Sequence, residues 1–571
     1  MSSSAPSAPS AFREFALSPE FSAEFSFIKA SAVNGYLTLR HKSGGFIRCE
    51  FDSRNLPKAK KRLENAIAAN ENNIDFDSGF DSRRFVIRFI DILVQDAEDE
   101  HRRYEAAQRV DESDKQKILD EISKDKTARE ISMDDWEKTR GEKYAILHQA
   151  VKENLPAMWL PLEFTLSIKC IINISKVTLT FAGIVLGAPS TLKTESLIML
   201  SKWPQTFYTD HFTSRSLVSH STALPWEDLT EIDLLPKWKN NFVLLPELAP
   251  TFTAKDEDLM HLLGVLTRVL DGQGYQSDSG AHGHRGYNEK IMFVLAGASV
   301  EIPHRVYKAL GYLGPKLYFL RLPPYKTSQE ARLANLRENF GDKERKIQDA
   351  LFDYLKWLEI RPDMQIDNES SRPKIEWDYS KDDEALRYII KLADLLAPLR
   401  GVSQTWETRG SQGSDYGYTI PIVEDPTRAT TQLYNLARGH AFSRGRNYVL
   451  KEDLSLVIKV VLSTGPVERV RILDKILVNN GKLSTNQITA ALSMAPKTAK
   501  RNMLELTLLG LVDIYPKIGT EDAPEHQGAE KVITLKPQFM EWLDTEEFKT
   551  LRKGFVPTDN SEYLKEGEGE A

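Results

Sequence analysis

Near the middle of the chain a short run carries the residue types needed to grip phosphate: Gly187, Ala188, Pro189, Ser190, Thr191, Leu192, Lys193 and Thr194. Such a loop needs backbone N–H groups turned inward at a helix start. It also needs an ammonium for the β- and γ-phosphates and a hydroxyl for Mg²⁺. Lys193 and Thr194 supply the last two, so the spacing predicts ATP on residues 187–194 with Mg²⁺ on Thr194. One position departs from G-x-x-x-x-G-K-[ST]: Leu192 stands where the second glycine is expected. An accidental Gly-Pro turn with a surface Lys would read similarly. The predicted strand Thr178–Leu186 before the loop and the predicted helix Glu195–Ser201 after it favour the phosphate reading.

A hydrolytic site also needs an acid on a neighbouring strand. Asn241-Phe-Val-Leu-Leu-Pro-Glu247 reads as a buried strand ending in one, and Glu247 is placed to polarise an attacking water. The Asp that would steady Mg²⁺ is Pro246, which has no ligand to give. Asp210, after a predicted strand at Phe207–Tyr208, is an alternative carboxylate. A third strand, Ile291–Ser299, ends in a hydroxyl suited to orienting water and the γ-phosphate. Strands filled with apolar residues on both faces, alternating with helices, predict a mostly parallel sheet between helical layers.

The chain has 571 residues, more than one core organises, so several domains are expected. The boundaries read as a Ser/Ala/Pro tail at 1–12, a small α+β domain at 13–94 and a charged helical connector at 95–150. Then come an α/β core at 151–325, a helical lid region at 326–465, a further module at 466–545 and an acidic tail at 546–571. In the first domain, strand-like runs at Tyr36–Leu39, Phe46–Phe51 and Arg84–Ile90 surround a helical stretch at Leu56–Asn70. Thr405–Tyr418, polar and glycine-bearing, reads as a loop. The net charge of −7 argues against a protein that coats nucleic acid, while leaving room for one local basic surface. Two cysteines, Cys49 and Cys170, fit neither a zinc ribbon nor a disulfide framework. No signal peptide or membrane span is legible, so a cytoplasmic location is expected.

With these residues in view the chain resembles the AAA+ superfamily, and within it the minichromosome-maintenance helicases. Their loop, G-x-P-x-x-A-K-S, also lacks the second glycine. The resemblance implies a P-loop NTPase core with a helical lid, ATP and Mg²⁺ as cofactors, and self-association in which ATP sits between subunits. It also implies a DNA-contacting hairpin between the second and third strands. Here Val269–Tyr287 fills that slot, with His284 and Arg285 as candidate contacts. The family's trans-acting Arg falls on Lys316, with Arg305 and Arg321 as rivals; a Lys lacks the forked geometry. The lid helix, V-R-x-L-x-x-L-I-R-L-A-x-A-H-A in the family, is similar to Thr427–Ala441, and Arg428 falls on its nucleotide-sensing Arg. The family's zinc-binding N-terminal pattern is missing.

The last module orders as a helix (Pro466–Asn480), a short helix (Asn486–Met494), a longer helix (Lys497–Leu509) and strands at Leu511–Tyr515 and Lys531–Leu535. That is the order of a winged helix-turn-helix. Lys497, Lys500 and Arg501 lie at the start of its recognition helix, where DNA phosphate and base contacts are made. Winged helices also dock proteins. The leading expectation is an oligomeric AAA+ ATPase acting on nucleic acid. The alternatives are an ATP-binding switch with little turnover and a winged-helix DNA-binding regulator.

Overall fold

The structure, a computed structural model, describes residues 131–553 with breaks at 221–228, 281–282, 324–338 (save 329 and 333), 369, 371, 411–412 and 517–529. It also describes a helix at 111–122, four strands between residues 13 and 52, and a few residues between 61 and 69. Two units separate, residues 1–120 and 121–571.

In the first unit β1 (Arg13–Ala16), β2 (Phe21–Lys29), β3 (Asn34–His41) and β4 (Phe46–Asp52) form an antiparallel meander in chain order. The expected strands at 36–39 and 46–51 fall within β3 and β4. Arg84–Ile90 and most of Leu56–Asn70 lie outside the described residues.

The second unit begins with α1 (Met133–Asn154) and α2 (Trp159–Ile171). Ser132 caps α1 by accepting the Asp135 amide, and Asp134 and Asp135 complement the positive end of the helix. The stretch 95–150, expected to be a charged, solvated helical connector, includes most of α1. Instead Trp136 is fully buried and its indole N–H donates to the Trp357 carbonyl at 2.7 Å. Of the apolar residues of α1, Trp136, Leu147 and Val151 are buried while Met133 and Ile146 are exposed. One buried Trp outweighs a charged composition, because an aromatic side chain hides so much apolar area.

The central sheet is parallel throughout. Its strands are β5 (Phe181–Leu186), β6 (Thr206–Tyr208), β7 (Phe242–Leu245), β10 (Val294–Ser299) and β11 (Leu317–Arg321), in the order β11-β5-β10-β7-β6. β5, β7, β10 and β11 are buried along their whole length, as strands covered on both faces must be. Alternation along β5 sends Ala182, Ile184 and Leu186 to one core, shared with α5 (Asp256–Val269) and α6 (His304–Leu313). The opposite face meets α2 at Gly183, where an added Cβ would sit 2.5 Å from the Phe164 ring. Between these elements run α3 (Lys193–Ile198), the short α4 (Ala249–Thr253) and the hairpin β8 (Tyr275–Ser279) and β9 (Gly283–Tyr287).

The lid region contains α7 (Phe340–Glu359), a small hairpin β12 (Gln365–Asp367) and β13 (Arg372–Lys374), α8 (Asp383–Leu399), α9 (Thr427–Ser443) and α10 (Leu454–Thr464). α9 crosses α2 so closely at Gly439 that a Cβ would lie 2.2 Å from the Ser167 carbonyl oxygen. Gln432 and Asn435 of α9 donate to the Thr180 and Leu179 carbonyls, each at 3.1 Å, fixing the chain that enters β5. The free edge of β11 is closed by α10: the Phe319 and Arg321 amides donate to the Thr464 and Ser463 hydroxyls, each at 3.0 Å.

Thr405–Tyr418 is not a loop. It is a hairpin of β14 (Thr405–Gly410) and β15 (Gly413–Tyr418). Its strands hold together across a Trp406–Gly417 pair, with the indole so close to Gly417 that a Cβ there would lie 2.6 Å from it. That cross-strand packing has no signature in a composition dominated by polar residues and Gly.

The chain then forms α11 (Val467–Val478), β16 (Lys482–Ser484), α12 (Thr485–Leu492), α13 (Pro496–Leu508), β17 (Val512–Pro516) and β18 (Lys531–Leu535). The strands make an antiparallel sheet in the order β16-β18-β17. Ser484 and Gln487 close a capping box at the start of α12.

Candidate functional site

β5 delivers the chain to the loop 187–194 and β10 anchors its base, since the Gly187 amide donates to the Ser299 carbonyl at 3.2 Å. Ser190 (φ 64°) and Leu192 (φ 58°) both take left-handed backbone, with Thr191 between them outside that region. Alternation of this kind turns successive N–H groups toward one centre and makes an anion-binding concavity. A left-handed residue with a side chain costs on the order of 1–2 kcal/mol. Leu192 takes the conformation a glycine would adopt freely.

Lys193 is buried, and its ammonium folds back to donate to the Ala188 carbonyl at 3.2 Å. The Thr194 hydroxyl donates to the Pro246 carbonyl at 3.4 Å. A backbone oxygen thus stands where a carboxylate would ordinarily serve the metal. The Thr191 hydroxyl donates to Ala188 at 2.8 Å and closes the turn.

The loop borders a cleft of about 650 Å³, a size usual for small-ligand sites. Residues Pro189 to Glu195 form one wall, and Glu247, Ala249, Pro250, Thr253 and Val300 form the other. Glu247 is exposed, its carboxylate held by the Ala249 amide at 3.0 Å. Ser299, next to Val300, is fully buried and its Oγ has no hydrogen-bond partner. Orphaned hydroxyls are costly inside a protein. Asp210 is exposed, accepts from the Tyr208 hydroxyl at 2.7 Å and is not part of the cleft wall. Glu195, Thr253 and Val300 escaped the sequence reading, because nothing in their local pattern distinguishes them from ordinary helix and loop residues.

The donor set suits Mg²⁺ only as a partner of phosphate: one hydroxyl and one carboxylate, with the remaining positions left to phosphate oxygens and water. Among the described residues no cluster of three His, Cys, Asp or Glu side chains is arranged to hold a metal by itself.

The four candidate cations lie elsewhere. Lys316 is buried, donating to the Thr267 carbonyl and ion-paired with Asp271, both at 2.6 Å. Burial lowers its pKa, against the pull of Asp271. Arg428 is 43% exposed and reaches the same Asp271 at 3.5 Å. Arg305 is partly exposed, pairs with Asp256 and donates to the Phe252 and Ala254 carbonyls around α4. Arg321 is buried on Glu301 and on the Ser463 and Gly465 carbonyls, which leaves it no reach to a neighbour. None of the four lines the chain's own cleft. Asp271, which gathers two of them, was unremarkable in the sequence because it precedes Gly272 in an evident turn.

Of the nucleic-acid candidates, Arg285 is buried and spent on Asp233, where Tyr287 and the Ser219 amide also converge. Expected as a groove contact, the guanidinium here anchors the hairpin to Asp233. His284 is exposed but pairs with Asp278 at 3.0 Å. Lys497, Lys500 and Arg501 are exposed on the first turns of α13. Lys497 is ion-paired with Glu407 of β14, and Arg501 lies 4.0 Å from Glu505.

Residues 424–464, which include α9 and α10, match the family model of the AAA lid domain. A parallel sheet between helices, joined to such a lid, fits an α/β P-loop NTPase. No curated protein matches the chain. A full-length MCM homolog from Methanopyrus kandleri aligns at 13% identity and a TM-score of 0.30, over 57% of this chain and 61% of that one. JCV helicase aligns at 12% identity and a TM-score of 0.19, over 54% and 74%. Among the described residues no helix is long and apolar enough to cross a membrane.

Proposed function

We propose that the chain binds Mg·ATP on residues 187–194 and works as an oligomeric, AAA+-type ATPase on nucleic acid. One observation carries the nucleotide reading: a loop with Ser190 and Leu192 in left-handed backbone, bordering a cleft that also receives Glu247. In this reading ATP supplies the phosphoanhydride to be split. Lys193 neutralises its β- and γ-phosphates, Thr194 holds the metal, Glu247 takes a proton from water and Ser299 orients it. Arg428, Lys316 and Arg305 would serve a neighbouring subunit's nucleotide. Of these Arg428 is the most exposed, and it holds Asp271 at 3.5 Å where the buried Lys316 holds it at 2.6 Å.

Pro246 favours a slower variant of the same reading, an ATP-held switch with little turnover. Its carbonyl occupies the Thr194 hydroxyl where a carboxylate would draw in the metal. Steady-state phosphate release with and without single-stranded or duplex DNA separates motor from switch. Pro246→Asp is expected to raise Mg²⁺-dependent release by about tenfold or more. No gain, in a variant that still binds ATP, would remove the argument from Pro246. The nucleic-acid part rests on α12 and α13, ordered as in a winged helix, and on the exposed cations of α13.

A further inference from the structure

The start of α13 is not open to solvent on all sides. The hairpin β14–β15 leans on it with one face, the face that cross-strand register gives to Thr405, Glu407, Tyr416 and Tyr418. Three of these four touch α13. The Glu407 carboxylate pairs with the Lys497 ammonium. The Tyr416 hydroxyl donates to the Lys497 carbonyl at 3.1 Å, and the Thr405 hydroxyl donates to Glu505 at 3.2 Å. Trp406, on the other face, is turned away and half exposed.

We propose that this hairpin is an autoinhibitory clasp, in which Glu407 takes the place of a DNA phosphate oxygen at the start of α13. The proposal rests on the reading of α13 as a nucleic-acid helix. Ala495 caps α13 without a side-chain hydrogen bond and Pro496 has no N–H, so the Lys497 and Thr498 amides with the Lys497 ammonium form a site that favours negative charge. A phosphate would bind there by displacing a carboxylate of the same chain. The hairpin strands would also obstruct entry of the helix into a groove. The two contacts on Lys497 are exposed or half-exposed, weak enough for DNA to open, whereas the Thr405 hydroxyl meets the buried Glu505. Glu505, the inner anchor, also meets Arg469, which bonds the Leu399 and Gly401 carbonyls at the end of α8. The clasp therefore joins α13 to the same short stretch of chain that follows α8 and leads toward the lid helix α9.

The test is fluorescence anisotropy of the full chain with a labelled duplex at several salt concentrations. Removing Glu407 also removes a negative charge, so the decisive variant is neutral: Thr405→Val with Tyr416→Phe. It is expected to tighten binding roughly threefold, and adding Glu407→Gln to bring the gain to roughly tenfold. Freeing Lys497 should also steepen the salt dependence by about one phosphate contact. Unchanged affinity in the neutral variant, while Lys500→Ala with Arg501→Ala weakens binding, would overturn the clasp and leave the α13 reading standing. Absence of DNA binding by wild type and by the opened variants alike would sink both.

Discussion

The phosphate loop and the start of α13 are both offered as anion sites, yet they are built from different material. The loop is made of main chain: left-handed residues at 190 and 192, amides between them, and one ammonium tucked back on the Ala188 carbonyl. The α13 site is made of long exposed side chains, one of which already holds an acid from a distant hairpin. A main-chain site is fixed by local conformation and stays where the strand delivers it. A side-chain site belongs to whichever partner lies nearest, and its strength is set by competition.

The contrast is broken most directly at Lys193. Lys193→Ala should weaken ATP binding by about 100-fold or more, measured by isothermal titration of the intact chain, because among the described residues no other cation lines the cleft. Unchanged affinity would mean that the loop is not the site. The backbone origin of the loop is sharpened at Leu192. Leu192→Gly relieves a left-handed strain and is expected to stabilise the protein by about 1 kcal/mol while keeping ATP affinity. Leu192→Val, β-branched in the same conformation, should lose both. Equal behaviour of the two variants in thermal unfolding and titration would show that the conformation at 192 does not matter.

At the other region, Lys500→Ala with Arg501→Ala should weaken duplex binding about tenfold at low salt and flatten the salt slope by about two. A loss independent of salt would count against phosphate contacts. The smallest effect concerns the lid, which is also held by side chains. His440, buried on α9, bonds Asp453 at 2.7 Å and Glu163 of α2 at 3.3 Å. Burial alone would lower the His440 pKa, but these two carboxylates outweigh it and raise it. Glu163 is likewise pushed up by burial and pulled down further by His440 and Arg444, to about 2. The stabilising contribution of His440 is complete below its ordinary value of 6.5 and is lost as pH rises through its raised folded value. That of Glu163 is complete above 4.5 and is lost as pH falls toward about 2. Denaturant midpoints should therefore peak between those limits, and His440→Gln should flatten the alkaline side. An unaltered alkaline slope in that variant would exclude the pair as its source.

Legibility followed the same division. Loop, strands and the order of α11 to β18 were readable because each depends on residues adjacent in the chain: an apolar run, a Gly-Pro turn, a capping pair. The burial of the helix at 133–154 and the strands at 405–418 were not legible, because each is stabilised by one aromatic contact, Trp136 under α7 and Trp406 over Gly417, that composition hides. Asp271, Asp233 and Glu407 were invisible as the partners of Lys316, Arg285 and Lys497, since nothing local to a charge names the residue that will neutralise it.

What the sequence determined by itself is a tight loop between a buried strand and a helix, with an acid two residues past one later strand and a hydroxyl at the end of another. Those features come from short-range sterics and burial, which act within a few residues. The tertiary structure alone decided which cations remain free, because ion pairs form between groups brought together only when the chain is packed. By that criterion Lys500 stays available, Arg428 and Arg501 are exposed but already near Asp271 and Glu505, Lys316 and Arg285 are committed, and Lys497 is held in check by the hairpin.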